Sequence, residues 1–463
     1  MSAGPRGVVR RSVGVAAWTA VTLLVAAGVL VAVGLPSAKH AASQVYPEPA
    51  VLPAAAVSMA SERAPEFRPD RPTVAILLAA EGTNVADSLA PYEVFARSGA
   101  VNVFLVAEKS EPITLGGGLT VLPQHTFAEI DTMTGGGPDV VVVPQLHGNI
   151  DDEMRWVTQV FEREPESTVM SVCVGAEYLA DAGLLDGRRA TAHWLKLIGL
   201  RRDHRQVDWV DDVRFVEDGR IMTTAGVLAG IDGAMRVLER LGAGDQLRRI
   251  ADEIHWNGYG SGAPVEIDAA GPGPADLPFA LSAAYRWDRP HHNVLVTDGV
   301  GEIELASTYR PYTELSWLAT MTTTTVDGQP VVSQHGVTVV PETAADEAGQ
   351  VDRLLVPGGE AARTRIAEAA PSGPDPTYLH SGDRFAFDPV IDDIAVHYDR
   401  ATATWVAKSL QYPVDDPGSG RDGVSSWPWA QTAIAAALVA AAIGLVQLSR
   451  VTIGAVRRRG RRS

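Results

Sequence analysis

The sequence predicts an α/β fold: a doubly wound parallel sheet in one complete copy and a second, degenerate copy, flanked by two transmembrane helices. Short β-branched and apolar runs alternate with helix-like segments, which is typical of parallel strands that are buried on both faces. A similar order of segments returns after residue 290 and indicates a repeat of the fold. Two uncharged apolar runs near the ends of the 463-residue chain are each long enough to cross a bilayer.

These patterns divide the chain into eight segments. They are a cytoplasmic tail with the first transmembrane anchor (1–35), an Ala/Pro-rich stalk (36–71), the first α/β domain (72–258), a linker (259–290), the degenerate second domain (291–412), a polar tether (413–426), the second transmembrane helix (427–449) and a basic cytoplasmic tail (450–463).

Arginines precede the first apolar run, 13–35, and follow the second, 427–448. Excess positive charge marks the cytoplasmic side of a membrane, so we expect both termini in the cytoplasm and the main domains outside it. The alternative for the first run is a cleaved signal peptide, because small residues follow it; its length favours an uncleaved anchor. The sequence therefore predicts a cell-membrane protein that contacts the lipid bilayer through two helices.

Between these runs the chain is strongly acidic. Without the nine terminal arginines, 30 Lys and Arg stand against 56 Asp and Glu, a formal charge of −26. Such a surface argues against nucleic acid as a partner, since it repels a phosphate backbone. The chain contains one cysteine, so it can form no internal disulfide.

The first domain opens with four runs that predict parallel strands, 73–80, 101–107, 140–144 and 168–172. A helix that includes residues 87–95 follows the first of them. A strand at 220–226 and a helix at 230–241 close the domain. Strands and helices that alternate in this way form a doubly wound sheet.

The cysteine lies where the fourth strand ends and a helix begins. Cys173 follows that strand, a helical pattern covers 175–182, and Gly183 suits the left-handed end of the helix. At a helix N-terminus the backbone N–H groups favour thiolate and can hold a developing negative charge. This placement predicts a nucleophile elbow. The alternative is a small buried apolar residue without chemistry.

Residues 171–194 carry a resemblance to a known family. They read Ser-Val-Cys-Val-Gly, then Leu-Ala-Asp-Ala-Gly-Leu-Leu-Asp-Gly, then Ala-Thr-Ala-His-Trp. The stretch resembles the ThiJ/PfpI family of the class I glutamine amidotransferase-like superfamily, in the branch of isonitrile hydratase and the sensor domains of AraC-type regulators. The resemblance covers about 72–258 and implies a flavodoxin-like sheet. The family includes enzymes and non-enzymes.

The resemblance implies a set of site residues. Cys173 is the nucleophile, and Asp87, four residues before Pro91, manages its proton. The N–H groups of Val174 and Gly175 hold developing negative charge. The alternative for Asp87 is a helix cap.

The chain departs from the family pattern at three points. Val174 stands where the isonitrile hydratase branch has threonine, residues 145–148 replace a Gly-Gly pair, and no histidine follows the cysteine. His147 and His193 are therefore candidates for an accessory histidine.

The second domain is predicted from three echoes of the first. Residues 293–298 form a strand start, 311–315 echo 91–95, and 352–359 parallel 139–145. No cysteine elbow follows the last of them, so this copy is predicted to lack a nucleophile. We expect loop over 360–390 and at most one strand and one helix over 394–408.

Two functions fit the sequence. The first is a cysteine-dependent hydrolase or hydratase-type lyase that acts on a small electrophilic molecule. The alternative is a non-enzymatic module in which the same pocket binds a small molecule or senses an oxidant. A third interpretation is a structural surface protein that has lost activity.

No cofactor and no metal are expected. His255, His291 and His292 do not cluster with cysteines or carboxylates at zinc-like spacing, and the Gly-rich segments lack the Lys-Ser/Thr of a nucleotide site. For partners beyond a small molecule, the resemblance implies a homodimer, or a pairing of the two internal copies.

Overall fold

The computed structural model describes residues 5–52, 65–257, 259, 266–369, 374–413 and 427–459. The predicted tether at 413–426 lies outside the described residues apart from its first position, and so does the part of the predicted stalk at 53–64.

The helices of the described chain, in order, are α1 (Pro5–Ser43), α2 (Val85–Ser98), α3 (Phe127–Thr134), α4 (Asp151–Arg163), α5 (Gly175–Asp181), α6 (Trp194–Asp203), α7 (Ala229–Arg240), α8 (Leu247–Glu253), α9 (Leu277–Tyr285), α10 (Glu302–Tyr309), α11 (Glu360–Ala369), α12 (Phe387–His397), α13 (Arg400–Ser409) and α14 (Trp429–Arg459).

The strands are β1 (Thr73–Leu77), β2 (Asn102–Ala107), β3 (Ile113–Leu115), β4 (Leu119–Val121), β5 (His125–Thr126), β6 (Val140–Val143), β7 (Thr168–Val172), β8 (Arg189–Ala190), β9 (Asp208–Trp209), β10 (Phe215–Asp218), β11 (Ile221–Thr224), β12 (His291–Leu295), β13 (Thr320–Thr325), β14 (Val331–Val332), β15 (Thr338–Val340), β16 (Thr343–Ala344), β17 (Arg353–Val356) and β18 (Pro376–Tyr378).

Seven strands form the first sheet, in the order β10–β11–β7–β6–β1–β2–β5. Neighbours are parallel except β10 and β11, which are antiparallel. Alternate residues of the central strand enter different cores: Val74 and Ile76 pack on one face of the sheet, Ala75 and Leu77 on the other. Apolar packing on both faces confirms the predicted doubly wound α/β fold.

A second sheet has the order β16–β13–β12–β17–β18, with all neighbours parallel. Its strands follow one another in space as β5, β2, β1, β6 and β7 do in the first sheet. We call the parts of the chain built on the seven-stranded and the five-stranded sheet the first and the second unit.

The two units meet along a seam. Strand β4 pairs antiparallel with β15, with Val121 opposite Val339, in a four-stranded sheet that both units share. Helices α2 and α10 pack on each other at the same place. Across them, the N–H of Ile303 donates to Glu93 Oε2 at 2.6 Å.

Two predicted irregular stretches contain regular structure, and a third stretch holds other elements than predicted. The expected loop at 360–390 holds α11, β18 and the start of α12, and the expected linker at 259–290 holds α9. Residues 394–408 belong to two helices, not to a strand and a helix. The apolar stripe of α12 starts at Phe387, well before that window, and Asp399 begins α13 by accepting a hydrogen bond from the N–H of Thr402 at 2.7 Å.

The predicted stalk at 36–71 is not an extended spacer where it is described. Helix α1 runs without a break through Pro36 to Ser43, because the alanines around it favour helix. The chain then packs on the first unit, where the N–H of Gly117 donates to Val45 O at 2.7 Å. At about 1.5 Å per residue, this helix is far longer than the roughly 30 Å core of a bilayer.

Two helical stretches, Trp18–Ser43 and Trp429–Ile453, are long and apolar enough to cross a membrane, with mean hydropathies of 2.2 and 2.0. Helices α1 and α14 pack on each other. Helix α9 packs beside both, and the hydroxyl of Tyr285 donates to Leu30 O at 2.9 Å. The C-terminal half of α1 is thus attached directly to α9, which precedes the second sheet.

Candidate active site

Cys173 lies at a sharp turn between β7 and α5. Its φ of 58° falls in the left-handed region, which residues other than glycine seldom adopt. The turn also requires Gly175, because a Cβ at that position would lie 2.0 Å from the carbonyl oxygen of Val143 on the neighbouring strand. The Cys-x-Gly spacing therefore has a steric cause, and the backbone adopts the predicted elbow.

Asp87 faces this turn from the first turn of α2. Asn84 caps that helix by accepting from the N–H groups of Ala86 and Asp87, at 3.0 and 3.1 Å, so the alternative role of Asp87 as the cap is wrong. Asp87 Oδ2 accepts from the N–H of Gln145 at 3.1 Å. Oδ1 is buried and has no hydrogen-bond partner among the described residues. The neighbouring Cys173 thiol favours the charged form of the carboxyl and so lowers the pKa of Asp87.

The two groups are deeply buried, with 0% of Asp87 and 2% of Cys173 exposed. Burial raises the pKa of Asp87 to about 6, against the lowering effects of the Arg310 charge and the Gln145 N–H. Burial and the Asp87 charge also raise the pKa of the Cys173 thiol, although Arg310 and the Val174 N–H oppose them. The expected preference for thiolate is therefore outweighed, and at neutral pH a carboxylate faces a thiol.

The loop after β6 offers few free donors to the pocket. The N–H of Gln145 is bound to Asp87, that of Leu146 to the hydroxyl of Tyr178 at 3.3 Å, and that of His147 to Gly82 O at 2.9 Å. This loop stands where the family pattern has Gly-Gly. Developing negative charge at Cys173 is thus left to the N–H groups of the elbow, at positions 174 and 175, of which the first already hydrogen-bonds the sulfur.

The two candidate histidines have different surroundings. His193 is buried, its Nε2 lies 2.8 Å from Ser409 O at the end of α13, and burial lowers its pKa to about 4. It therefore joins the second unit to the first as a neutral side chain. His147 is exposed at the edge of the site and stacks on Tyr46, with ring centroids 4.6 Å apart.

Three side chains that the sequence analysis missed reach the site from outside the first unit. The hydroxyl of Tyr46 donates to Glu314 Oε2 at 3.2 Å, and Gln145 Nε2 donates to Glu314 Oε1 at 2.7 Å. Arg310, at the end of α10, pairs with Glu314. No motif marks Tyr46, whereas Arg310 directly precedes the repeated Pro-Tyr pair and could have been suspected from that position.

Comparison with known proteins identifies the family of this chain. Residues 72–240 match the DJ-1/PfpI family. The chain is 31% identical over 195 residues to the isonitrile hydratase of Pseudomonas putida, which spans 40% of this chain and 80% of that enzyme. The chain belongs to the DJ-1/PfpI family. Cys173, Asp87 and the elbow all lie within the matched residues.

Solved structures similar to this DJ-1/PfpI chain include Drosophila melanogaster DJ-1beta, at 20% identity and a TM-score of 0.34, covering 39% of this chain and 96% of that one. An AraC family transcriptional regulator from Pseudomonas putida is 16% identical, with a TM-score of 0.33, over 39% of this chain and 98% of that one.

One group of side chains in this DJ-1/PfpI protein has the composition of a metal site. Ligand atoms of Glu93, Glu302 and His335 lie within 4.8 Å of one another at the seam. Glu302 already accepts from the Ser333 hydroxyl and from His335, and Glu93 from Arg97 and a backbone N–H. These bonds describe an ion-pair network that holds α2 to α10.

Proposed function

We propose that this protein is a cysteine-dependent enzyme that hydrolyses or hydrates a small electrophilic molecule. The observation that carries the proposal is the pairing of Cys173, held at a strained elbow, with a carboxyl of Asp87 that has one oxygen left for the thiol. A structural cysteine requires neither the left-handed backbone nor a buried acid beside it.

The pair supports a balanced reaction. Asp87, as carboxylate, takes the thiol proton while the Cys173 sulfur forms a bond to the electrophilic carbon, and then gives that proton to the substrate atom that gains the electron pair. In hydration of an isonitrile, water then adds across the carbon–nitrogen double bond of the thioimidate and one of its protons goes to nitrogen; the carbon–sulfur bond breaks, and the remaining hydroxyl proton restores the thiol. In hydrolysis of an ester, the alcohol leaves with the proton from Asp87 when the carbon–oxygen bond breaks, and water then displaces the sulfur from the acyl carbon and restores the thiol. The net change is addition of one water. A pKa of about 6 suits Asp87 to both steps near neutral pH.

The substrate class is suggested by the relative. An isonitrile has an electrophilic carbon that could accept the sulfur and then water, and a similar enzyme acts on isonitriles according to its name. Val174 supplies no hydroxyl next to the cysteine, so this chain would depend on Asp87 alone for the proton.

A sensor or binding function is the second candidate. The occupied N–H groups of the loop after β6, the burial of both site groups and the protonated thiol favour a pocket that holds a ligand without turning it over.

We further propose that the protein is anchored in the cell membrane by α1 and α14, with both termini cytoplasmic and the two units outside. The apolar stretches of these helices, their mutual packing and the terminal arginines support this topology.

The second unit is, on this proposal, a degenerate copy that pairs internally with the first. Val143 pairs with Ser171 in the first sheet as Val356 pairs with Tyr378 in the second. Two residues further along the chain from Ser171 and from Tyr378, His380 takes the place that the cysteine has in the first unit.

The acid is also replaced in this copy. Ser307 lies four residues before Pro311, as Asp87 lies before Pro91, and its hydroxyl is 2.9 Å from His380 Nε2. Nδ1 of that histidine accepts from the N–H of Gly358 at 3.1 Å, which assigns the ring proton to Nε2. The histidine then donates to the serine and does not act as its base, so this pair is inert.

The test uses the full chain in detergent, incubated with a small alkyl isonitrile or a small ester. We expect product formed by water addition, and loss of it in Cys173→Ser. Asp87→Asn should slow turnover strongly while leaving the cysteine accessible. A rise in the thermal unfolding midpoint without product would support the sensor. A thiol that alkylates only in denaturant would defeat both functions and leave a structural role.

A further inference from the structure

Arg310 belongs to the second unit, but its positive charge acts on Cys173 in the first unit. Arg310 is 4% exposed and pairs with Glu314, which is 15% exposed. Its Nε is buried and has no hydrogen-bond partner among the described residues. An unsatisfied guanidinium nitrogen in such a place is costly unless something binds it.

A continuous set of contacts connects this arginine to the reacting pair. Glu314 accepts from Gln145 Nε2 at 2.7 Å, and the backbone N–H of Gln145 donates to Asp87 at 3.1 Å. Asp87 in turn faces Cys173. The arginine is therefore connected through Glu314 to Gln145, the same loop residue that hydrogen-bonds the acid.

The charge of Arg310 reaches groups on several sides of the pocket. It acts on Asp87, Cys173, Tyr46 and His193, in each case favouring the more negative form. Lys196 is the other cation that acts on the thiol, but it is 46% exposed and paired with Glu177 at 2.8 Å. Solvent screens such a charge, so the buried arginine dominates.

We propose that Arg310 is the anion-binding residue of the Cys173 site, so that the ligand carries a carboxylate or a similar small negative group. This inference rests on the proposed nucleophilic function of Cys173. Glu314 pairs with the guanidinium and holds it in place, and the unpartnered Nε is the donor assigned to the ligand. The site is then composite, and the second unit supplies its selectivity.

The test compares two reagents of nearly equal size that differ in charge. Iodoacetate is an anion and iodoacetamide is neutral, and the chain has a single cysteine, so both report on Cys173. The ratio of their rate constants on the native full chain, divided by the same ratio in denaturant, cancels the thiolate fraction and the intrinsic reactivity. We expect a normalised ratio above one.

Substitutions should move this ratio in opposite directions. Arg310→Gln should lower it by about fivefold or more, Arg310→Lys should restore most of it, and Glu314→Gln should raise it. Lys196→Gln and Arg248→Gln, which remove exposed positive charges, should leave it nearly unchanged. If the single Arg310 variant does not fold, Arg310→Gln with Glu314→Gln removes both charges of the pair and leaves neither unpaired.

The outcomes separate the two proposals. A native thiol that reacts with neither reagent, but with both in denaturant, would defeat the nucleophilic function. A reactive thiol whose ratio is the same in wild type and in a folded Arg310→Gln variant would overturn the anion site alone. A ratio that follows Lys196 would do the same.

Discussion

Gly175 is the residue on which the cysteine turn depends most directly. Its missing side chain leaves room for the Val143 carbonyl, which a Cβ would approach to 2.0 Å. Gly175→Ala should therefore lower stability by about 1–3 kcal/mol through displacement of backbone. Gly199→Ala in α6 has nothing within 4 Å and should be neutral or stabilising. Thermal unfolding of the two variants checks this, and equal midpoints would contradict it.

The charge of Asp87 raises the pKa of the neighbouring Cys173 thiol. Burial is the largest cause of the raised thiol pKa, and the Asp87 charge is the next. Asp87 carries this charge above about pH 6. Asp87→Asn removes it, so the apparent pKa of Cys173 should be lower in the variant than in the wild type. Iodoacetamide rates measured against pH give this value. Asp181→Asn, on the exposed side of α5, is the matched control. An unchanged profile in Asp87→Asn would mean that the two groups do not interact.

The segment after α1 packs on the first unit and brings Tyr46 to the residues around the Cys173 site. This ring stacks on His147 and its hydroxyl binds Glu314. Tyr46→Ala should increase the rate at which neutral iodoacetamide reaches Cys173, by severalfold. Tyr378→Ala, on the second sheet, should not. If both variants react at the wild-type rate, access to the cysteine runs by another route.

The seam between α2 and α10 should respond to pH. Burial and the Glu302 charge raise the pKa of Glu93. Burial alone would lower the pKa of His335, but the hydrogen bond to Glu302 outweighs this effect and raises it. A folded pKa above the unfolded one means that stability is lost as pH rises, for acid and histidine alike. The contribution of this network to stability should therefore fall from pH 5 to pH 8, so the unfolding midpoint of the wild type minus that of Glu93→Gln should be smaller at pH 8 than at pH 5. The same difference for Glu162→Gln, which is exposed, should not change with pH. A difference for Glu93→Gln that is equal at both pH values would refute this.

For the molecule as a whole, local pattern predicted the first unit well and the contacts between units poorly. Strands such as 168–172 and the turn at Cys173 follow from continuous apolar runs and from glycine spacing, which act within a few residues. Tyr46 and Arg310 lie far from the cysteine in sequence, and only the packing of α1 and of the seam brings them to it. Helices α11 and α12 were not predicted, because weak apolar stripes are interrupted by glycine, proline and charged residues.

The topology of the whole chain gives the last prediction. In a Cys173→Ser background, Glu111→Cys places an exposed thiol on the first unit, and Ser463→Cys adds a cysteine at the last residue of the sequence. If the terminal arginines hold both ends in the cytoplasm, a charged maleimide should label the first in intact cells and the second only after permeabilisation. A tag placed before α1 should remain attached, since α1 continues into the folded units and a cleaved leader would not. Labelling of the C-terminal cysteine in intact cells would reverse the orientation, and loss of the tag would make α1 a signal sequence.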